Sequence, residues 1–243
     1  MRNLRISLLT AAVVTLVACK PGPAATPAAP SVPEAPQPVA ASGEPPPAVA
    51  SAAAPVVPSF DCAKAEGRAQ TLVCDDPVLA TLDNELARLF ALASSDKSLD
   101  AARRRELVAM QRGWVKGRDD CWKSDDLRNC VLSDYANRIH ELREGHANAR
   151  SADAAGISEG PTAWRCEGLD ALISATFIRT DPGVANLRWL DQAVALEIKP
   201  SASGARYVGR AYDGDYEFWN KGDAAMFTRP GKPAADCSVE PTG

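Results

Sequence analysis

The hydrophobic period of this chain changes once, near residue 150, and that change limits the folds open to it. Before it, Leu79, Leu82, Leu86, Leu89, Phe90 and Ala93 recur at helical spacing. After it, Val194, Leu196 and Ile198 alternate with Ala195, Glu197 and Lys199. A period near 3.6 lays one apolar stripe along a helix, whereas a period of two sends alternate side chains to opposite faces of a strand. The pattern predicts a multi-domain α plus β chain: a small helical module followed by a β module.

Local signals divide each half further. Asp76-Pro77 supplies an N-cap and a proline at the first helical position. A second helix is expected from near Asp100, with Leu107, Met110 and Trp114 on its buried face, and a third from about Leu127, with Val131, Tyr135, Ile139 and Leu142 on one side. Ser94-Ser95-Asp96 and Lys123-Ser124-Asp125 mark the turns between them. In the second half, strands are expected over 171–179, 186–190 and 193–199, with turns at Pro182-Gly183 and Asp213-Gly214. Many short strands without a clear helix suggest a small antiparallel barrel or sandwich. The expected boundaries are 59–147 for the helical module, 148–160 for a linker and 161–243 for the β domain.

The start of the chain is an address. Arg2 and Arg5 precede an apolar run, Ile6 to Val17, too short to span a bilayer comfortably. Leu16-Val17-Ala18-Cys19 then resembles a bacterial lipobox. The resemblance implies a lipoprotein signal peptide over 1–18 and a lipidated Cys19 as the membrane anchor. Lys20 is not an aspartate, so the expected location is the outer membrane, facing the periplasm. Residues 19–58 form a Pro/Ala-rich tether with almost no large apolar side chains, unable to offset chain entropy by burial. At about 3.1 Å per residue in a polyproline II conformation, such a tether reaches on the order of 100 Å.

Of 7 cysteines, six remain after lipidation. An even count in an oxidising compartment reads as disulfides. Cys62, Cys74, Cys121 and Cys130 fall in the helical module, Cys166 and Cys237 in the β domain. Pairing among the first four is left open. A zinc site is disfavoured because the spacings lack CxxC and because His140 and His146 stand apart from the cysteines in sequence. No cofactor loop or nucleophile–base set is visible, so neither metal, cofactor nor enzymatic activity is expected. The net charge of −4 argues against nucleic acid as a partner and suits a basic protein.

Two stretches carry family resemblances. Ser201-Ala202-Ser203-Gly204-Ala205-Arg206-Tyr207 and Phe218-Trp219-Asn220-Lys221-Gly222-Asp223, flanked by Cys166 and Cys237, resemble the MliC/PliC family, bacterial inhibitors of c-type lysozyme. That likeness implies an eight-stranded barrel whose first and last strands are tied by Cys166 and Cys237. It implies that Ser203 and Lys221 are inserted toward the enzyme's catalytic carboxylates, with Gly204 and Gly222 allowing the tight turns. Tyr207 is expected to brace the first loop or touch the partner, Asn220 to hydrogen bond beside Lys221, and Trp219 to pack in the barrel. Ser203 and Lys221 as a Ser-Lys hydrolase pair lack a Ser-x-x-Lys helix or nucleophile elbow.

The helical module is similar to the LprI family of lysozyme-inhibitor-like domains. The residues that carry this are Phe60-Asp61-Cys62-Ala63-Lys64-Ala65, Cys74-Asp75-Asp76-Pro77, Gln111-Arg112-Gly113-Trp114, Arg118-Asp119-Asp120-Cys121, and Cys130 with Tyr135 and Arg138-Ile139. Arg112, Arg118 and Asp119 are expected on a solvated helix face with local ion pairs, the alternative being a binding surface. The resulting expectation is an inhibitor of c-type lysozyme that protects peptidoglycan. The alternative is a structural lipoprotein that binds peptidoglycan or another envelope partner without inhibiting anything.

Overall fold

The structure is a computed structural model that describes residues 55–151 and 155–241. The expected signal peptide, Cys19 and the tether up to residue 54 lie outside the described residues.

Helix α1 spans Gly67–Asp75, α2 Pro77–Ser94, α3 Ala101–Asp119, α4 Leu127–Gly145 and α5 Ala147–Arg150. The three long helices begin where the sequence places them. Asp76 caps α2 by accepting from the backbone N–H of Val78 and Leu79, and Asp100 and Asp126 cap α3 and α4 in the same way through Arg103 and Asn129. Each such cap satisfies an N–H that the helix leaves unpaired. Leu79, Leu82, Leu86, Leu89, Val131, Tyr135, Ile139 and Leu142 form one buried cluster. Helix α3 contributes little to it: only Leu107 and Arg118 are buried, and Met110, expected inside, is 52% exposed. The reason is that α3 packs by one edge, chiefly against α4, so its apolar period turns past the core at Met110. Disulfides Cys62–Cys74 and Cys121–Cys130 join cysteines close in sequence.

Eight antiparallel strands follow: β1 Ser158–Cys166, β2 Leu172–Ile178, β3 Val184–Trp189, β4 Gln192–Lys199, β5 Ala205–Ala211, β6 Gly214–Lys221, β7 Ala224–Thr228 and β8 Ala235–Val239. They pair in chain order and close into a barrel as β8 meets β1, with Trp164 opposite Val239 and Cys166 opposite Cys237. The Cys166–Cys237 disulfide lies across this closing pair. Alternate residues fill the interior, among them Trp164, Leu187, Leu196, Phe218 and Phe227. Trp164 meets Phe218 edge-on at 5.2 Å. Within 148–160, α5 ends and β1 already begins.

The two modules share a core. Helix α4 crosses the outer face of β1–β4. Ile178, Val184 and Ala195, which point out of the barrel, belong to the helical cluster. Polar links run beside them. Arg128 reaches Asp76 at 2.7 Å and Glu197 at 2.8 Å. Arg143 donates to Gly160 O at 2.8 Å and to Ser158 Oγ at 3.1 Å, and Ser158 in turn donates to the buried Glu85. The His140 ring is enclosed, with Nδ1 2.9 Å from Thr176 Oγ1. The barrel is thereby fixed to the helices, which leaves one end and the β5–β7 side open to solvent.

Candidate protein-binding site

Strands β5 and β6 pair over seven positions, from Ala205 opposite Asn220 to Ala211 opposite Gly214. That register brings the β4–β5 loop and the β6–β7 turn side by side at one end of the barrel. The residues between the two sequence motifs form the body of the hairpin, so the reach of one loop relative to the other is set by the ladder.

Gly204 locks the juxtaposition. Its φ is +69°, and a Cβ there would lie 2.6 Å from Asn220 O and 3.3 Å from Lys221 Cβ. Both the left-handed backbone and the close approach require glycine. Trp219 Nε1 donates to Ser203 O at 2.8 Å, and Ser201 Oγ donates to Gly204 O at 2.9 Å. The loop backbone is thus pinned from two sides while Ser203 itself is exposed. Its hydroxyl has no hydrogen-bond partner among the described residues. Lys221 is exposed on the neighbouring turn, also without an ion-pair partner among the described residues, and Gly222 follows with φ +58°.

Two other cations near these loops are neutralised locally. Lys199 and Arg206 face each other across β4 and β5, but Lys199 lies 3.6 Å from Glu197 and Arg206 donates to Glu217 at 2.8 Å. Among the described residues Lys221 is left as an unpaired cation at the tip, with the exposed Asp223 two residues on in the same turn. An ammonium with three donors next to a free hydroxyl suits a pair of carboxylates.

The remaining expected residues take supporting places. Tyr207 is 9% exposed and packs against Phe177 inside the barrel, and burial raises its phenol pKa, with Glu159 adding to the shift. Asn220 is half-buried, with an Oδ1 that finds no partner. Trp219 departs from expectation: it lies outside the barrel core, because the inward positions of β6 are Tyr216 and Phe218. Its indole instead holds the Ser203 loop. Strand parity was the signal for this, since a residue next to Phe218 must face the other way.

Arg118 also departs from expectation. It is 5% exposed, not on a solvated face. Its guanidinium donates to Tyr135 Oη at 2.8 Å and to Asp119, lies 5.4 Å from the Trp114 ring, and borders a cleft of about 500 Å³ between α2 and α3. Tyr135 passes its proton contact on to Asp83, which also accepts from Ser59 N. These polar groups satisfy one another, so the network organises the helices. Cys121, Cys130 and Asp134 come close together, but the two sulfurs are bonded to each other and are not thiolate ligands.

Comparison with known proteins fits both halves. The family described as "Membrane-bound lysozyme-inhibitor of c-type lysozyme" matches residues 164–236, the span that holds both loops. "Lipoprotein LprI" of Mycobacterium bovis and of two Mycobacterium tuberculosis strains is 33% identical over 162 residues, which is 66% of this chain and 74% of theirs. No solved structure matches.

Proposed function

The chain belongs to the LprI family of lipoproteins and carries an MliC-like barrel, and on that footing we propose that it inhibits c-type lysozyme. The observation that carries the reading is the pinned pair of loops, with Ser203 and Lys221 exposed on adjacent turns and Gly204 in contact with the Lys221 segment.

The chemistry follows from the target. A retaining glycosidase sets two carboxyl groups about 5 Å apart across the bond it cleaves. Lys221 offers charge-assisted hydrogen bonds to one, and Ser203 donates its hydroxyl to the other. Neither group presents a glycosidic bond, so the cleft is filled without turnover. Gly204 and Gly222 keep both tips slender, and the Trp219 indole holds the Ser203 loop from behind. Because the loops are fixed before binding, little conformational entropy is lost on insertion. The acidic balance of the chain favours encounter with a basic enzyme.

In this reading the protein is an outer-membrane lipoprotein. Cleavage after Ala18 frees Cys19 for lipidation, residues 19–58 act as the tether, and the helical and barrel modules protect peptidoglycan in the periplasm. The test uses the mature chain with Cys19→Ser, titrated against a c-type lysozyme. Lys221→Ala is expected to weaken inhibition by roughly 10- to 100-fold and Ser203→Ala by roughly 2- to 10-fold, as for a charged and a neutral hydrogen bond. Unchanged inhibition in both variants would refute the insertion mechanism. A parent chain that fails to inhibit, yet is retained on insoluble peptidoglycan, would overturn the inhibitor assignment itself.

A further inference from the structure

Helix α3 carries Arg103, Arg104, Arg105, Arg112, Lys116 and Arg118 against Glu106 and Asp119, a formal charge of +4 in a chain whose net charge is −4. Two of the six cations have structural work. Arg104 binds the carbonyls of Ser94, Asp96 and Leu99 at the end of α2, and Arg118 is buried in the Tyr135 network. Arg105, Arg112 and Lys116 are exposed, and no partner for any of them is found among the described residues. Several arginines elsewhere are paired, as in Arg138–Glu141, Arg165–Glu240 and Arg210–Asp215.

These three side chains form a line. At 100° per residue, positions separated by seven and eleven fall within about 40° of one another, and the line is about 16 Å long. Only small or half-buried residues, Val108, Ala109 and Gly113, lie along it. The N-terminal end of α3 is crowded with arginines around its Asp100 cap, while Lys116 sits in the last turn, where the macrodipole favours a cation. An unpaired row of cations along an exposed helix suits a partner outside the helix. That partner is anionic, and a basic lysozyme at the barrel loops is of the wrong sign for it.

We propose that the exposed stripe of α3 docks on an anionic phospholipid surface. This docking rests on the lipid anchor proposed above: a chain held at a bilayer through Cys19 meets lipid headgroups as its most frequent extended anionic surface. A lipid chain together with a basic patch anchors more firmly than either alone. The contact would lay the helical module against the membrane.

Vesicle co-sedimentation tests this with the mature chain carrying Cys19→Ser, so that no acyl chain contributes. Binding is expected to vesicles of phosphatidylcholine with phosphatidylglycerol, not to phosphatidylcholine alone, and to weaken in high salt. Each basic residue near such a surface is worth roughly fivefold in partitioning, so the triple variant Arg105→Gln, Arg112→Gln, Lys116→Gln should lose on the order of a hundredfold. Glutamine is a good helix former at exposed sites, and an unchanged urea midpoint and lysozyme titration will show that the fold persists. Arg105→Lys with Arg112→Lys should keep binding, and Lys232→Gln, an exposed lysine on the barrel, should leave it unchanged. Equal binding to neutral and anionic vesicles, or a triple variant that binds like the parent, overturns the proposal. So does a parent that binds soluble polyphosphate but no vesicle.

Discussion

His140 makes the union of helices and barrel sensitive to acid. The ring is fully buried between α4 and β2, with Thr176 Oγ1 at 2.9 Å and Ser174 Oγ at 3.4 Å. Burial lowers its pKa from the usual 6.5 to about 4, with Arg188 adding to the shift. Glu144, 3.9 Å away, pulls the other way, but it is more than half exposed and its field is screened by water. The folded pKa lies below the unfolded one, so protons bind the unfolded chain preferentially. The stabilisation is complete above pH 6.5 and is lost as pH falls toward 4. At 1.36 kcal/mol per unit, the full loss is about 3 kcal/mol, of which about 2 kcal/mol has gone by pH 5. Urea unfolding at pH 7 and pH 5 measures it, with His140→Gln as the reference. The variant cancels other titrations, including that of His146, whose pKa burial also lowers. The stability gap between parent and variant should narrow by about 2 kcal/mol between the two pH values. A gap that stays constant would refute the account of a neutral, buried imidazole at this junction.

Two further outcomes follow from the barrel. Gly204→Ala places a methyl group 2.6 Å from Asn220 O at a φ of +69°, so it should cost about 1–2 kcal/mol of stability in urea unfolding and weaken lysozyme inhibition at least as much as Ser203→Ala. Replacing Cys166 and Cys237 together by alanine opens a closure spanning 71 positions and should lower stability by about 4 kcal/mol in denaturant titrations under oxidising conditions, more than removal of either short disulfide in the helical module.

Helix starts were the most legible part of the fold: Asp76-Pro77 announced α2 by its capping chemistry, and the starts near Asp100 and Leu127 agree with the structure. Strand β4 was legible from the alternation of Val194, Leu196 and Ile198 with Ala195, Glu197 and Lys199. Helix α1 was not, since its nine residues bury only Ala69 and Val73 and offer no sustained period. Met110 was misplaced because a helix packed by one edge keeps an apolar residue at the right spacing with nothing to bury it. The union of the two modules was hidden for a related reason. Thr176, Asn186 and His140 are buried polar residues that read as solvent-facing in a strand or helix pattern, and only the packing of α4 on the barrel encloses them. At the candidate site, Ser203 and Lys221 were singled out by the family resemblance of their two motifs, since a lone loop serine and a lone surface lysine carry no signal of their own. The bond from Trp219 to the Ser203 carbonyl joins residues 16 apart in sequence and depends on the hairpin register.

The closing pair of strands has a consequence for crowding. Open sheets leave a ribbon of unused amide and carbonyl groups that can recruit the same ribbon from a neighbour. Here β8 meets β1 and the Cys166–Cys237 bridge secures that seam. Molecules packed densely side by side therefore offer each other no template for polymerisation through the barrel.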